Sequence, residues 1–183
     1  KKQALLQATV KLVNKVGFDA ASVSKIAKEA GVSPSTLYVY FKNKEDLLVS
    51  TFVDIKGCMA RSMMRDFDSN LPLRDIIRGF WFGVYDYVSK NKDKYMFVEQ
   101  FSVTPYVELV NKDELEKMYL PLIDAIGKGI EQKILKNVKR ELIGAFMFHP
   151  AAHLANPRHV CCDTLTDEDI EIAFNMSWDA LRL

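Results

Sequence analysis

The sequence predicts an all-α protein in two parts, an N-terminal three-helix unit built on a helix-turn-helix and a C-terminal helical bundle. Apolar residues recur at a spacing near 3.6 along almost the whole chain, glycines and prolines fall where helices stop and start, and no segment carries a strand signal. The first helix has Leu5, Ala8, Leu12 and Val16 on one face and ends at Gly17. In the second, Ser22 is the N-cap, Val23, Ile26, Ala27 and Ala30 form the inner stripe, and Ser24, Lys25, Lys28 and Glu29 face away. Gly31 can take the positive φ that closes this helix, and Val32 then fills the angle before the next one.

The third helix starts sharply. Ser33 is its cap, and Pro34 suits the first helical position, where its missing N–H had no helical partner anyway. Leu37 and Phe41 point inward, which leaves Ser35, Thr36, Tyr38 and Tyr40 available to a partner. Hydroxyl groups at a helix N-terminus suit the major groove of DNA, where they can donate to phosphate or meet base edges. Asn43 caps a fourth helix with Asp46 at its third position, and that helix runs from residue 44 to about 67. It links a DNA-binding domain expected at 1–47 to an effector-binding and dimerisation domain expected at 48–183. Lys44 lies in its first turn, where the helix dipole disfavours a cation, so a phosphate partner explains it better.

The remaining elements are also helical. From Pro72 to about Lys90, Leu73, Ile76, Ile77, Phe80, Val84 and Tyr87 share one face and Trp81, Phe82, Tyr85 and Val88 cover a second, which places this helix in an interior or beside a cavity. A helix from Asp113 to about Lys136 should kink at Pro121, and another runs from about Asn137 to Phe148. The last begins at Thr166, has Asp169 at its third position and carries Ile170, Ala173, Phe174, Ser177, Trp178 and Leu181 as a stripe.

Charge divides the chain as the elements do. Residues 1–47 hold eight lysines against four acidic residues, a net +4, whereas the rest holds 17 basic against 20 acidic, a net −3, and the whole is +1. Only the front attracts a polyanion, and +4 is modest enough that two copies are expected to act together on DNA. There is no apolar run long enough for a bilayer and no signal-peptide pattern, although the chain opens on lysine, so the natural N-terminus is expected to be missing. The three cysteines form no disulfide framework, which fits a cytoplasmic protein.

The residues Ile26-Ala27, Ala30-Gly31-Val32-Ser33, Thr36-Leu37-Tyr38, Tyr40-Phe41 and Lys44-Glu45-Asp46-Leu47 resemble the DNA-binding signature of the tetracycline-repressor (TetR) family of bacterial transcriptional regulators. The resemblance covers roughly the first 50 residues. It implies phosphate contacts from Ser22, Tyr40 and Lys44 and groove contacts from Ser35, Thr36 and Tyr38, and with the cap Ser33 these form the candidate DNA-binding set. Ser35 stands where the family often has glycine, so no base preference carries over. It further implies a repressor, a palindromic double-stranded operator, a homodimer through the last two helices and a small-molecule pocket in the helical domain. Phe174, Ser177, Trp178 and Leu181 are the candidate dimer residues, and Trp81, Tyr85, Phe97, Phe101, Tyr119 and Phe146 the candidate pocket for an apolar or aromatic effector.

The alternative is a metal or thiol-redox sensor. His149, His153, His159, Cys161, Cys162 and Asp163 fall within fifteen positions, 149–163, and are suitable ligand types, but their spacing is poor and Pro150 and Pro157 point to a loop. No metal site is assigned to them. No cofactor motif, nucleophile elbow or phosphate loop occurs, and no enzyme is expected.

Overall fold

The computed structural model describes residues 1–156 and 165–183, and the described residues are helical with no named strand. They form two compact units, one of residues 1–57 with 91–115 and one of residues 58–90 with 116–183.

In the first unit, α1 (Lys2–Ala20) breaks at Gly17, whose φ of 81° is a conformation that side chains rarely tolerate. Helices α2 (Val23–Glu29) and α3 (Pro34–Tyr40) follow, and α4 (Lys44–Met63) starts after a short turn. The caps are those the sequence predicts. Ser22 accepts from the Lys25 N–H, Ser33 from the Thr36 N–H, and Asn43 Oδ1 from the Asp46 N–H at 2.8 Å. Asp46 in turn accepts from the Lys42 N–H at 2.8 Å, so the turn into α4 is held from both sides. Leu5, Ile26, Leu37, Leu47 and Leu48 are fully buried and make the core on which the two short helices α2 and α3 rest. Helix α6 (Lys92–Ser102) completes this unit, with Phe97 beside Phe18 at 5.5 Å and Phe101 stacked on Phe52 at 4.5 Å between ring centres.

The second unit is centred on α5 (Leu73–Lys90), whose Ile77, Phe80, Trp81 and Val88 are buried. Gly83 allows the end of α4 to come very close, since a Cβ there would lie 2.6 Å from the Met63 Cα. Trp81 donates through Nε1 to Ser177 Oγ at 3.3 Å, and Ser177 donates to the Ala173 carbonyl at 3.0 Å, so both polar groups are satisfied inside. The last helix, α11 (Asp167–Leu181), opens with the capping box expected at Thr166 and Asp169.

Two segments differ from expectation. The helix expected at 113–136 is two: α7 (Lys112–Lys117) and α8 (Leu120–Glu131). Pro121 lacks the N–H that would continue the first, so it opens a new helix rather than kinking one. Beyond α8, residues 134–136 leave the helix and pair with the end of α11, where the Lys136 N–H donates to the Leu181 carbonyl at 2.8 Å.

The second difference concerns Pro150, which does not end a helix. A short α9 (Arg140–Ile143) leads into a π-turn at Gly144–Phe148 and then α10 (His149–Ala155). The His149 N–H reaches back five residues to the Gly144 carbonyl, and this wider turn accommodates a proline that has no N–H for the carbonyl four residues before it.

Candidate nucleic-acid interface

The geometry of the helix-turn-helix follows from one glycine. Gly31 has φ 68°, its N–H bonds the Lys28 carbonyl at 3.1 Å, and the Val32 N–H bonds the Ala27 carbonyl at 3.0 Å. This pair of bonds is a Schellman closure, which ends α2 and sets the direction in which α3 leaves. Leu37, with none of its surface exposed, then anchors α3 from below.

What α3 presents outward is hydroxyls, rings and one branched side chain. Ser33 Oγ lies 2.8 Å from Ser35 Oγ and 2.9 Å from Thr36 Oγ1, so the three hydroxyls form one cluster over the first turn. Tyr38 is 57% exposed and Tyr40 is also exposed. The helix has no charged residue of its own from Pro34 to Tyr40, so any attraction to phosphate comes from the lysines around it. Sequence reasoning passed over Val39, which is 77% exposed; its place opposite Leu37 on the helical wheel was the available signal.

Two of those lysines have structural partners. Lys44 Nζ donates to the Phe18 carbonyl at 2.6 Å and the Asp19 carbonyl at 3.3 Å, and Lys25 Nζ donates to the Ala20 carbonyl at 3.0 Å. Both cations therefore satisfy the carbonyls left open at the end of α1. The Lys11 ammonium bonds Glu29, and that hydrogen bond holds the Glu29 carboxyl below its ordinary range.

The matches to known proteins agree with this geometry. Residues 5–51 match the family described as bacterial regulatory proteins, tetR family, and residues 72–182 match a tetracyclin repressor-like C-terminal domain. The chain belongs to the TetR family. A TetR family transcription regulator from Marinobacter aquaeolei VT8 is 33% identical, covers 99% of this chain and 95% of its own, and superposes with a TM-score of 0.89. The nicotine-responsive transcriptional repressor HdnoR of Paenarthrobacter nicotinovorans is 26% identical over 91% of this chain and 92% of its own length. The structure of FadR from Bacillus subtilis in complex with stearoyl-CoA shares the fold, with a TM-score of 0.73 at 22% identity over 98% of this chain and 96% of that one. As a TetR-family member the protein is a DNA-binding helix-turn-helix transcriptional regulator and not an enzyme.

The six rings expected to form a pocket divide between the two units. Phe97 and Phe101 belong to the first unit and are fully buried against Phe18 and Phe52. Trp81 and Tyr85 stack on each other at 6.1 Å in the second unit, with Phe174 edge-on to Trp81. Tyr119 is part of the second unit too, at the break before α8, and burial pushes its hydroxyl pKa well above the ordinary value. Phe146 is 54% exposed on the π-turn. Phe97 and Phe101 thus belong to one compact unit and the other four to the second.

Two voids in the second unit have other walls. One of about 410 Å³ sits among the last residues of α4, the 64–72 connection and α5, walled by Met63, Phe67, Phe80 and Phe82 on one hand and by Ser62, Arg65, Asp66, Asp68, Asp75, Arg78 and Asp86 on the other. Another of about 360 Å³ shares Phe67 and Ile76 with it and reaches Pro121, Ala125 and Lys128 of α8.

The four residues named for the dimer, Phe174, Ser177, Trp178 and Leu181, are buried within the chain itself. Phe174 packs on Trp81 and Leu181 bonds the 134–136 strap on the inner side of α11, while Ser177, bonded to Trp81, also reaches the opposite side. The outer side of the same helix carries Ala173, Met176 and Ala180, which with Ser177, Phe146, Pro150 and Leu154 line a shallow apolar concavity of about 630 Å³. His149 and His153 share its rim, since the helix survives Pro150. His159, Cys161, Cys162 and Asp163 lie outside the described residues, and no group of three or more metal-ligating side chains occurs among those described.

Proposed function

We propose that the protein is a cytoplasmic repressor that binds a palindromic operator as a homodimer and is released by a small apolar or aromatic effector held in its helical unit. The observation that carries the DNA-binding half is the outward face of α3, where Ser35, Thr36, Tyr38 and Tyr40 stand around a helix fixed by Leu37 and the Gly31 closure. Ser22, Ser33 and Lys44 flank it, the last through a backbone-bound ammonium that keeps one of its three N–H donors for phosphate.

Physics supplies the argument for two copies. One such helix reads only a few base pairs, and two heads spaced by about 34 Å, one turn of DNA, or a multiple of it, multiply the specificity. The exposed concavity of α10 and α11 is the surface that suits a second copy: it is apolar, and Met176 stands out from it with 68% of its surface exposed. For the effector, the two voids that share Phe67 fall in the size range of small-ligand sites; Phe67, Phe80 and Phe82 give the first an apolar side opposite its charged groups, and Leu71, Leu73, Ile76 and Pro121 give one to the second. Relatives respond to nicotine or are seen with stearoyl-CoA, ligands too unlike each other to select one for this chain.

In vitro selection from a random DNA pool, followed by footprinting, tests the reading. A recovered inverted repeat protected by wild type and lost with Tyr38→Ala supports it. Recovery of no sequence preference would remove the reader role from α3.

A further inference from the structure

We propose that Val39 reads the 5-methyl group of a thymine in the major groove, as the one apolar contact of the reading helix. The inference rests on α3 being the helix that enters the groove. At about 100° per residue, positions two before and two after the anchor Leu37 lie nearest to diametrically opposite it. Those positions are Ser35 and Val39, and Leu37 itself is completely buried. They are the outermost side chains of the helix, one per turn, on the same face.

The two do different work. The Ser35 hydroxyl is held at 2.8 Å by Ser33 within the cap cluster, so the first turn presents a fixed polar group. One turn later Val39 presents two methyl groups, and 77% of the residue's surface is exposed, more than for either tyrosine beside it. Nothing in its own fold explains a branched apolar residue there. Valine is a weaker helix former than alanine, and an outward isopropyl group contributes no core packing.

Base chemistry names the complement. Among the groups on the floor of the major groove, the pyrimidine 5-methyl group is the one apolar substituent larger than a hydrogen atom, and in ordinary DNA thymine carries it. The absence of charge along α3 fits this, because an ammonium or carboxylate beside Val39 would hold water at its tip. Ser35 at the preceding turn then meets a neighbouring base edge or its phosphate.

The experiment uses the full chain and an operator recovered by selection. Each thymine of a half-site is replaced in turn by deoxyuridine, which removes the methyl group and keeps every hydrogen-bonding atom. Wild type should lose about 3- to 5-fold in affinity at one or two positions, the scale of one buried methyl group. Val39→Ala should lose a similar factor on the unmodified operator and show no further loss on the deoxyuridine operator at those positions. Val39→Thr, which keeps one methyl group and the side-chain shape, should fall between the two. Because Val39 is exposed, unchanged thermal unfolding in both variants separates a reading defect from a folding one.

Wild type indifferent to deoxyuridine at every thymine, an operator without thymine in the protected half-site, or undiminished sensitivity in Val39→Ala would each overturn the assignment. Failure to recover any operator is a different result: it overturns the DNA-reading role of α3, and this proposal with it.

Discussion

Lys44 and Phe18 are joined by a hydrogen bond of 2.6 Å, from the ammonium at the start of α4 to a carbonyl at the end of α1. The bond ties together two helices on either side of the reading pair, so Lys44 has a structural duty whether or not DNA is present. Lys44→Ala is therefore expected to lower stability by about 1–2 kcal/mol, as the loss of a partly buried bond from a charged donor. Its effect on DNA affinity should be similar across sequences, in keeping with backbone rather than base contact. Unfolding in urea measures the first and binding to specific and unrelated DNA the second. An unchanged urea midpoint would leave phosphate as the only reason for the lysine.

Gly83 sets up a contest between two opposing effects. Replacing a helical glycine with alanine ordinarily gains up to about 1 kcal/mol of helix propensity. Here the new methyl group would lie 2.6 Å from the Met63 Cα and 3.0 Å from the Ser62 carbonyl oxygen, both backbone atoms that cannot swing away. Overpacking of this kind costs about 1–3 kcal/mol, so Gly83→Ala should be net destabilising. The same change at Gly79, which has open space, is the control and should be neutral or stabilising. Equal behaviour of the two variants would show that α4 and α5 can part without cost.

These residues show where the sequence was legible. Caps and closures are local, so Ser22, Gly31, Ser33, Asn43 and Thr166 could be assigned from a few neighbours, and each has the predicted role. The inward stripe of α3 was equally clear. The helical wheel of α11 was read correctly as a stripe, but a stripe does not say whether its own chain or a second one covers it. Phe174 and Trp178 are covered by their own chain. The aromatic set divides between the units for a related reason. Phe97 and Trp81 are both buried rings, and periodicity carries no information on which unit each one joins. Pro150 was misleading because a π-turn of five residues, which has no simple sequence signature, carries the helix past it.

The two sides of α11 should respond oppositely to substitution. Phe174→Ala removes a fully buried ring packed against Trp81 and Phe82, and is expected to cost about 3–5 kcal/mol of stability. Met176→Asp changes an exposed residue, so the monomer should keep its fold while a dimer formed through this face dissociates. Analytical ultracentrifugation at micromolar concentration reads the second effect and circular dichroism the first. A Met176→Asp protein with wild-type sedimentation would move the dimer contact away from α11.

The cap of α11 gives a prediction in pH. Thr166 donates to the Asp169 carboxylate from its backbone N–H and its hydroxyl, both at short distance, and these bonds hold the Asp169 pKa below its ordinary value of 3.8. A carboxyl whose folded pKa is lowered adds stability above its unfolded value, and that stability is lost as pH falls through the folded one. Thr166→Ala should therefore lower the thermal midpoint by roughly 2–5 °C near neutral pH, where the cap is intact. As pH drops below the ordinary carboxylate range, Asp169 becomes protonated in wild type as well, and the difference between the two proteins should shrink. Calorimetric scans from pH 7 down to the acid limit of folding measure it. A difference that stayed constant over that range would mean that the threonine acts through its own hydroxyl alone, without the carboxylate opposite it.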